Sequence, residues 1–220
     1  MMEIAVLVSG GGTNLQALID RIADGSLQGV RICCVIASRE GTFAASRADK
    51  AGIPYSVLRR GAFPDLESYD AAMLALLEKS GAELMVLAGF LSLLGSAVVH
   101  RYHNRILNIH PSLLPSFGGK GMYGLHVHEA VLASGVKWTG ATVQFVNEAY
   151  DEGPILLQQP VRVRPDDTPG SLQARVMAEA EQILLPEAVR LISLGRVHID
   201  GCRTIIDDEW QAENSQEEKT

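Results

Sequence analysis

The chain has 220 residues and a formal net charge of −7, with 47% hydrophobic and 20% charged residues; this fits one large domain or two small ones with a sizeable core. The acidic balance excludes a nucleic-acid binder, so an anionic ligand must be caught by a local site rather than by the overall field. No apolar run approaches the roughly 20 residues of a membrane helix, the N-terminus lacks the basic start and cleavage pattern of a secretory signal, and Cys33, Cys34 and Cys202 fit neither a disulfide framework nor a zinc site; the expectation is a cytoplasmic protein with buried, reduced thiols and no membrane partner.

The first hundred residues alternate short apolar runs with helical periodicity. Residues 4–8 form an unbroken apolar run, as a strand covered on both faces requires. Leu15, Leu18, Ile19 and Ile22 then recur at helical spacing. Strands follow at 30–37, 55–58 and 84–88, separated by helices at 41–51 and 67–80 that stop at Gly52 and Gly81. In the second half, a strand at 106–109 runs into a loop with Pro111, Pro115 and four glycines before Leu125. A helix over 125–134, strands over 139–146 and 155–163, one long helix over 168–194 and a hairpin over 197–206 complete the pattern. The rhythm predicts an α/β fold: a predominantly parallel, twisted sheet with helices on both faces and a Rossmann-like N-terminal half. Residues 1–206 read as a single domain, and the acidic stretch 207–220 as a disordered tail.

Two stretches carry chemistry. Ser9-Gly10-Gly11-Gly12-Thr13-Asn14 leaves the first strand and opens the first helix, so backbone N–H groups and the helix N-terminus form an anion site suited to phosphate. It is neither a Walker loop nor a G-x-G-x-x-G fingerprint, which fails at Leu15. Arg39, at the end of the second strand, keeps an NADP-dependent reductase open. In Leu107-Asn108-Ile109-His110-Pro111, residues two apart share a strand face, so Asn108 and His110 point together. Paired amide and imidazole donors suit a developing oxyanion. A carboxylate would complete such a site by orienting the imidazole and favouring its charged form, and the Asp-Glu-Gly-Pro loop offers Asp151, which taken alone reads equally as a turn residue. His126 and His128 are two apart, which splits them across a helix, so no metal pair is expected.

Taken in order, Val8 to Gln16, Val86-Leu87-Ala88-Gly89-Phe90, Leu107 to Pro115, Gly124-Leu125-His126-Val127-His128, Gly140-Ala141-Thr142-Val143 and Asp151-Glu152-Gly153-Pro154 resemble the phosphoribosylglycinamide formyltransferase family over roughly residues 3–195. The resemblance implies transfer of a formyl group from the co-substrate 10-formyltetrahydrofolate to the amine of glycinamide ribonucleotide, in de novo purine biosynthesis, by a monomer or homodimer without a metal. It implies that Gly12, Thr13 and Asn14 hold the ribose phosphate in a phosphate-binding half (1–100). Asn108, His110 and Asp151 are then the catalytic trio of a folate-binding and catalytic half (101–206), with Leu91, Ser92, Leu93, Leu94 and Asn108 at the folate. Glu181 contacts the substrate amine, and the Leu114–Pro115 bond is cis. The chain departs from the family at Leu66 and Ser92, where basic residues are common near the folate, in the longer loop over 117–123, where Lys120 offers a charge to anionic groups, and by one extra residue in the helix that carries Glu181.

The same trio with water as nucleophile would make a formyltetrahydrofolate hydrolase. That family carries an extra N-terminal regulatory domain, and the glycine loop would be superfluous for water. A non-catalytic sugar-phosphate-binding protein on the same fold is the reading from a different class, and the reductase is a further one.

Overall fold

The computed structural model describes residues 1–207. In chain order its elements are β1 (Met2–Val8), α1 (Thr13–Ala23), β2 (Val30–Ala37), α2 (Phe43–Lys50), β3 (Tyr55–Val57), α3 (Leu66–Ser80), β4 (Leu84–Leu87), α4 (Ser96–Arg101), β5 (Ile106–His110), α5 (Leu125–Ser134), β6 (Trp138–Phe145), β7 (Ile155–Arg162), α6 (Pro169–Val176), α7 (Gln182–Ser193), β8 (Val197–Asp200) and β9 (Arg203–Ile206).

One nine-stranded sheet runs β3-β2-β1-β4-β5-β6-β7-β9-β8. Strands β1 to β5 pair in parallel, and β6 is antiparallel to both β5 and β7. The alternation of strand side chains divides the core between the two faces. Ile4, Val6 and Val8 of β1 pack with Leu15 and Leu18 of α1, Val127 and Val131 of α5 and the buried side of α6 and α7. Ala5 and Leu7 point the other way, against Tyr69, Met73 and Leu77 of α3 and Val98 and Val99 of α4. Both faces of β1 are therefore dry, which is why its sequence is an unbroken apolar run.

The order β3-β2-β1-β4 reverses direction between β1 and β4. In open α/β sheets, ligands bind outside the carboxyl ends of the strands at such a switch point. The glycine loop leaves β1 there, residues 88–95 leave β4 beside it, and β5 ends next to them at His110.

Several sequence expectations need correction. The helix α4 was not expected: six residues bounded by Gly95 are too few to show a period, and Val98 and Val99 alone mark its buried side. The expected helix over 168–194 is continuous in direction but contains a π-helical turn, Met177–Glu181, between α6 and α7. A π turn accommodates one additional residue without breaking the helix, and Glu181 is the last residue of this one. Cys33 and Cys34 are buried free thiols, but Cys202 is exposed, because it lies in the turn between β8 and β9. Of the expected acidic tail, Asp207 donates its backbone N–H to the Arg196 carbonyl at 3.1 Å; residues 208–220 lie outside the described residues. Among the described residues, no helix is long and apolar enough to cross a membrane. The Leu114–Pro115 bond is cis.

The β6–β7 hairpin depends on a close approach. Phe145 donates its N–H to the Pro154 carbonyl at 2.9 Å, and a Cβ on Gly153 would stand 1.7 Å from the Phe145 carbonyl oxygen. Gly153→Ala should therefore destabilise the fold by about 1–3 kcal/mol or more, measured by urea denaturation. Wild-type stability in this variant would mean that the hairpin closes without that approach.

Candidate active site

The site is built from the loops that follow β1, β4, β5 and β6. Gly12 caps α1 in the left-handed region (φ 70°), and a Cβ there would stand 2.9 Å from the Ala44 Cβ, so glycine answers both the turn and the space. No side chain caps α1, which leaves its first N–H groups to water or to an anion. Arg47 braces the loop from α2, donating from Nε to the Gly11 carbonyl (2.9 Å) and from Nη1 to the Gln16 Oε1 (2.8 Å). Ser9 joins the loop to its neighbours: its Oγ lies 2.6 Å from the Ser38 Oγ and accepts the Leu91 N–H at 2.8 Å.

The side-chain donors of the loop are already partnered. Asn14 Nδ2 donates to Glu181 Oε2 at 2.8 Å, and the Thr13 hydroxyl lies 3.4 Å from the Met177 sulfur. Both partners belong to the π turn. Burial pushes the Glu181 carboxyl up to about 7, against the opposing effect of the Asn14 hydrogen bond. The Asn14 Oδ1 is buried without a partner among the described residues.

The second centre is the Asp151 carboxylate. Its Oδ1 accepts from Gln144 Nε2 at 2.9 Å and from Asn108 Nδ2 at 3.5 Å. Its Oδ2 accepts the Gly119 N–H at 2.8 Å and faces His110 Nδ1 at 3.7 Å. The other ring nitrogen, His110 Nε2, lies 2.9 Å from the Phe117 carbonyl oxygen. A carbonyl only accepts, so Nε2 carries a proton. A proton on Nδ1 then exists only in the imidazolium, and at 3.7 Å it is not taken up by a direct hydrogen bond to Asp151. Asp151 itself has φ 56°, a left-handed conformation that Asp tolerates better than most residues.

A row of polar side chains beside the trio holds the loop that follows β5. The Thr142 hydroxyl donates to the Ser112 carbonyl (2.7 Å) and accepts the Leu114 N–H (3.0 Å); Gln158 Nε2 reaches the same hydroxyl and the Leu114 carbonyl, each at 3.0 Å. This anchors the chain that turns back to bring Phe117 and Gly119 over His110 and Asp151.

A cavity of about 1030 Å³ connects these parts. Gly12, Thr13, Asn14, Asn108, His110, Asp151 and Glu181 all line it, as do Leu91, Ser92, Leu93 and Leu94. Leu66 and Lys120 line it too. Leu91 and Leu93 are 60% and 48% exposed, an apolar wall open to the cavity rather than buried in the core. The trio and the glycine loop are therefore two ends of one site, with Glu181 joined to the glycine-loop end. Among the described residues, no group of three or more His, Cys, Asp or Glu is arranged to hold a metal. Of the histidine pair on α5, His126 is exposed and His128 is fully buried.

Sequence reasoning missed four parts of the site. The Phe117 carbonyl and the Gly119 N–H are backbone groups and have no residue signature. Gln144 had a usable signal: it is a polar residue between Val143 and Phe145 in a strand buried on both faces. His128 also lines the cavity, and both its ring nitrogens are buried without partners among the described residues. Burial first, and then the charge of His110, lower its imidazole to about 4, so it is neutral at pH 7.

Fold and site are those of an α/β protein with a ligand cavity at the switch point of its sheet, and residues 2–189 match the formyl transferase family, to which the chain belongs. Within that family it is similar to the chloroplastic phosphoribosylglycinamide formyltransferase of Arabidopsis thaliana, with 41% identity over 89% of this chain and 66% of the relative. It is 40% identical to the trifunctional purine biosynthetic protein adenosine-3 of Bos taurus, over 90% of this chain and 19% of that protein. The chain thus spans just under two thirds of the plant relative and about a fifth of the bovine one. The crystal structure of glycinamide ribonucleotide transformylase 1 from Symbiobacterium toebii superposes with a TM-score of 0.88 at 41% identity, covering 94% of both chains.

Glu181 makes a testable contribution to stability. Its carboxyl is ordinary in the unfolded chain, near 4.5, and raised to about 7 in the fold. The folded state therefore holds more protons between those values, and stability falls as pH rises through that window. A change of this size is worth on the order of 3 kcal/mol. Urea denaturation of wild type and Glu181→Gln at pH 4.5 and pH 8 should show the neutral variant gaining on wild type by about that amount at the higher pH. A difference that stays constant with pH would show that the carboxyl ionises normally.

Proposed function

We propose that the chain transfers the formyl group of 10-formyltetrahydrofolate to the amine of glycinamide ribonucleotide, giving N-formylglycinamide ribonucleotide in de novo purine biosynthesis, in the cytoplasm. The observation that carries this reading is that two oxyanion donors and a carboxylate face the same cavity as an uncapped glycine loop. The loop accounts for a phosphate on the acceptor, which water would not need. The open apolar wall of Leu91 and Leu93, with Ser92 between them and the buried Leu94 beside them, fits the flat ring system of a reduced folate. Residues 1–100 supply the phosphate loop and this apolar wall, and residues 101–206 supply the trio and Glu181, working as one unit.

As the amine nitrogen attacks the formyl carbon, the formyl oxygen takes up negative charge. Asn108 Nδ2 is free to turn towards it, because its 3.5 Å bond to Asp151 is long and the same oxygen is better served by Gln144. His110 adds a second donor only as the imidazolium, through Nδ1, since its Nε2 proton is committed to Phe117. The His110 ring, held from its far side by Phe117, is already in place when the charge develops and needs no reorganisation. The carbon–nitrogen bond to the folate then breaks, and the proton lost by the attacking nitrogen goes to the nitrogen that leaves. Asp151 borders the cavity and holds a water that relays this proton. The phosphate is held by backbone N–H groups of the glycine loop, together with the positive end of α1, because the Thr13 and Asn14 side chains face the π turn. The Glu181 carboxylate accepts from the substrate amine.

One assay tests the reading. Purified protein is mixed with formylated folate, and release of the folate product is followed with and without glycinamide ribonucleotide. Release that depends on the amine is expected; release without it identifies a hydrolase, and none at all leaves a sugar-phosphate-binding protein. Asn108→Ala and His110→Ala should each lower kcat by roughly 100-fold or more while leaving ribonucleotide binding in calorimetry largely intact. Near-normal kcat in both would remove the oxyanion assignment.

A further inference from the structure

We infer that Gln144 is a positioning residue for the reaction: it holds the Asp151 carboxylate in its working orientation and thereby releases Asn108 to the substrate. The inference rests on the reading above that Asn108, His110 and Asp151 carry the chemistry.

Gln144 stands on β6 directly opposite Asn108 on β5, so the two amides share one sheet face. It is 2% exposed. Its Nε2 makes the shorter of the two bonds to Asp151 Oδ1, 2.9 Å against 3.5 Å for Asn108. The orientation of this amide follows from chemistry, because a carboxylate oxygen only accepts and must therefore meet the NH₂ end. The consequence is that the Gln144 Oε1 is buried with no partner among the described residues. A buried acceptor without a donor opposes folding, and an apolar side chain of the same length would avoid it. The polar residue is therefore explained by the one bond it does make.

That bond has two effects. It leaves the carboxylate held at both oxygens by fixed protein donors, Gln144 on Oδ1 and the Gly119 N–H on Oδ2. Rotation of the carboxylate would break both, so Oδ2 keeps its position opposite His110 Nδ1. It also keeps Oδ1 satisfied when Asn108 turns away to the developing oxyanion. Without Gln144, Asn108 would be the one side-chain donor to that oxygen among the described residues, and turning to the substrate would leave a buried carboxylate oxygen bare.

The test is a double-mutant cycle. Gln144→Met keeps the length and removes the donor; Gln144→Glu keeps the shape and, at pH 8, sets an acceptor against an acceptor. Each should lower kcat by about 10-fold or more, the typical worth of a hydrogen bond to a charged group, with both KM values within about 3-fold of wild type. In an Asp151→Asn background, Gln144→Met should cause little further loss, because the carboxylate it orients is gone. A loss of equal size in both backgrounds, a kcat near wild type, or a loss confined to KM would overturn the assignment. Turnover by wild type without the amine would end the transferase reading, yet the same cycle then runs on hydrolysis and still judges Gln144. Crystal structures of wild type and Gln144→Met need no turnover at all: a carboxylate that turns away from the Gly119 N–H supports the inference, and one that stays in place overturns it.

Discussion

The site turns on how one carboxylate is shared. Asp151 is only slightly exposed, at 14% of its side chain, and a carboxylate taken that far from water needs hydrogen bonds or a counter-charge. It receives Gln144 and Asn108 on one oxygen and the Gly119 N–H on the other, with His110 facing it. These four partners come from three segments: β6, β5 and the loop before α5. A single charge thus ties its own loop to three other segments, and the same tie sets the geometry that the proposed chemistry would use. The imidazole is fixed from its far side by the Phe117 carbonyl, so the ring cannot turn to satisfy Asp151 with Nε2 instead.

The sheet explains why these groups meet. Parallel strands buried on both faces deliver their carboxyl ends to one edge of the molecule, and the reversal of strand order between β1 and β4 opens a crevice there. The glycine loop occupies one side of that crevice and the end of β5 the other. The antiparallel β6 and β7 then bring the Asp151 loop back over the end of β5. Close backbone approach at Gly153 and the polar row through Thr142 and Gln158 hold this part of the molecule in register. The π turn does the same at the glycine-loop end, where it carries Glu181 to Asn14.

Much of this was legible in the sequence where side-chain periodicity carries it. The buried strands, the glycine loop, the shared face of Asn108 and His110, and the candidate Asp151 all follow from spacing and residue type. Their assembly did not: nothing in the spacing brings Asp151 to His110, and only the family resemblance joined them. Backbone partners were illegible in principle, since any residue at 117 has a carbonyl and any non-proline residue at 119 has an N–H. The commitment of Asn14 to Glu181 was hidden for another reason. The π turn shifts the register of the last helix pair, so a helical wheel drawn through residues 168–194 misplaces everything after Val176. Gln144 was visible as a polar residue in an apolar strand, but its meaning depended on the register that sets it opposite Asn108.

The account's central claim is that the Nε2 proton of His110 belongs to Phe117, so the ring turns Nδ1 towards the cavity. Nitrogen-15 NMR of the imidazole tests this directly, at a pH high enough for the ring to be neutral. The account predicts the Nε2–H tautomer for His110, with Nδ1 bare, and no change of tautomer in Asp151→Asn. A His110 ring protonated at Nδ1 and bare at Nε2 would contradict it, because the Phe117 carbonyl would then face a lone pair and the proposed donor would no longer require the charged ring.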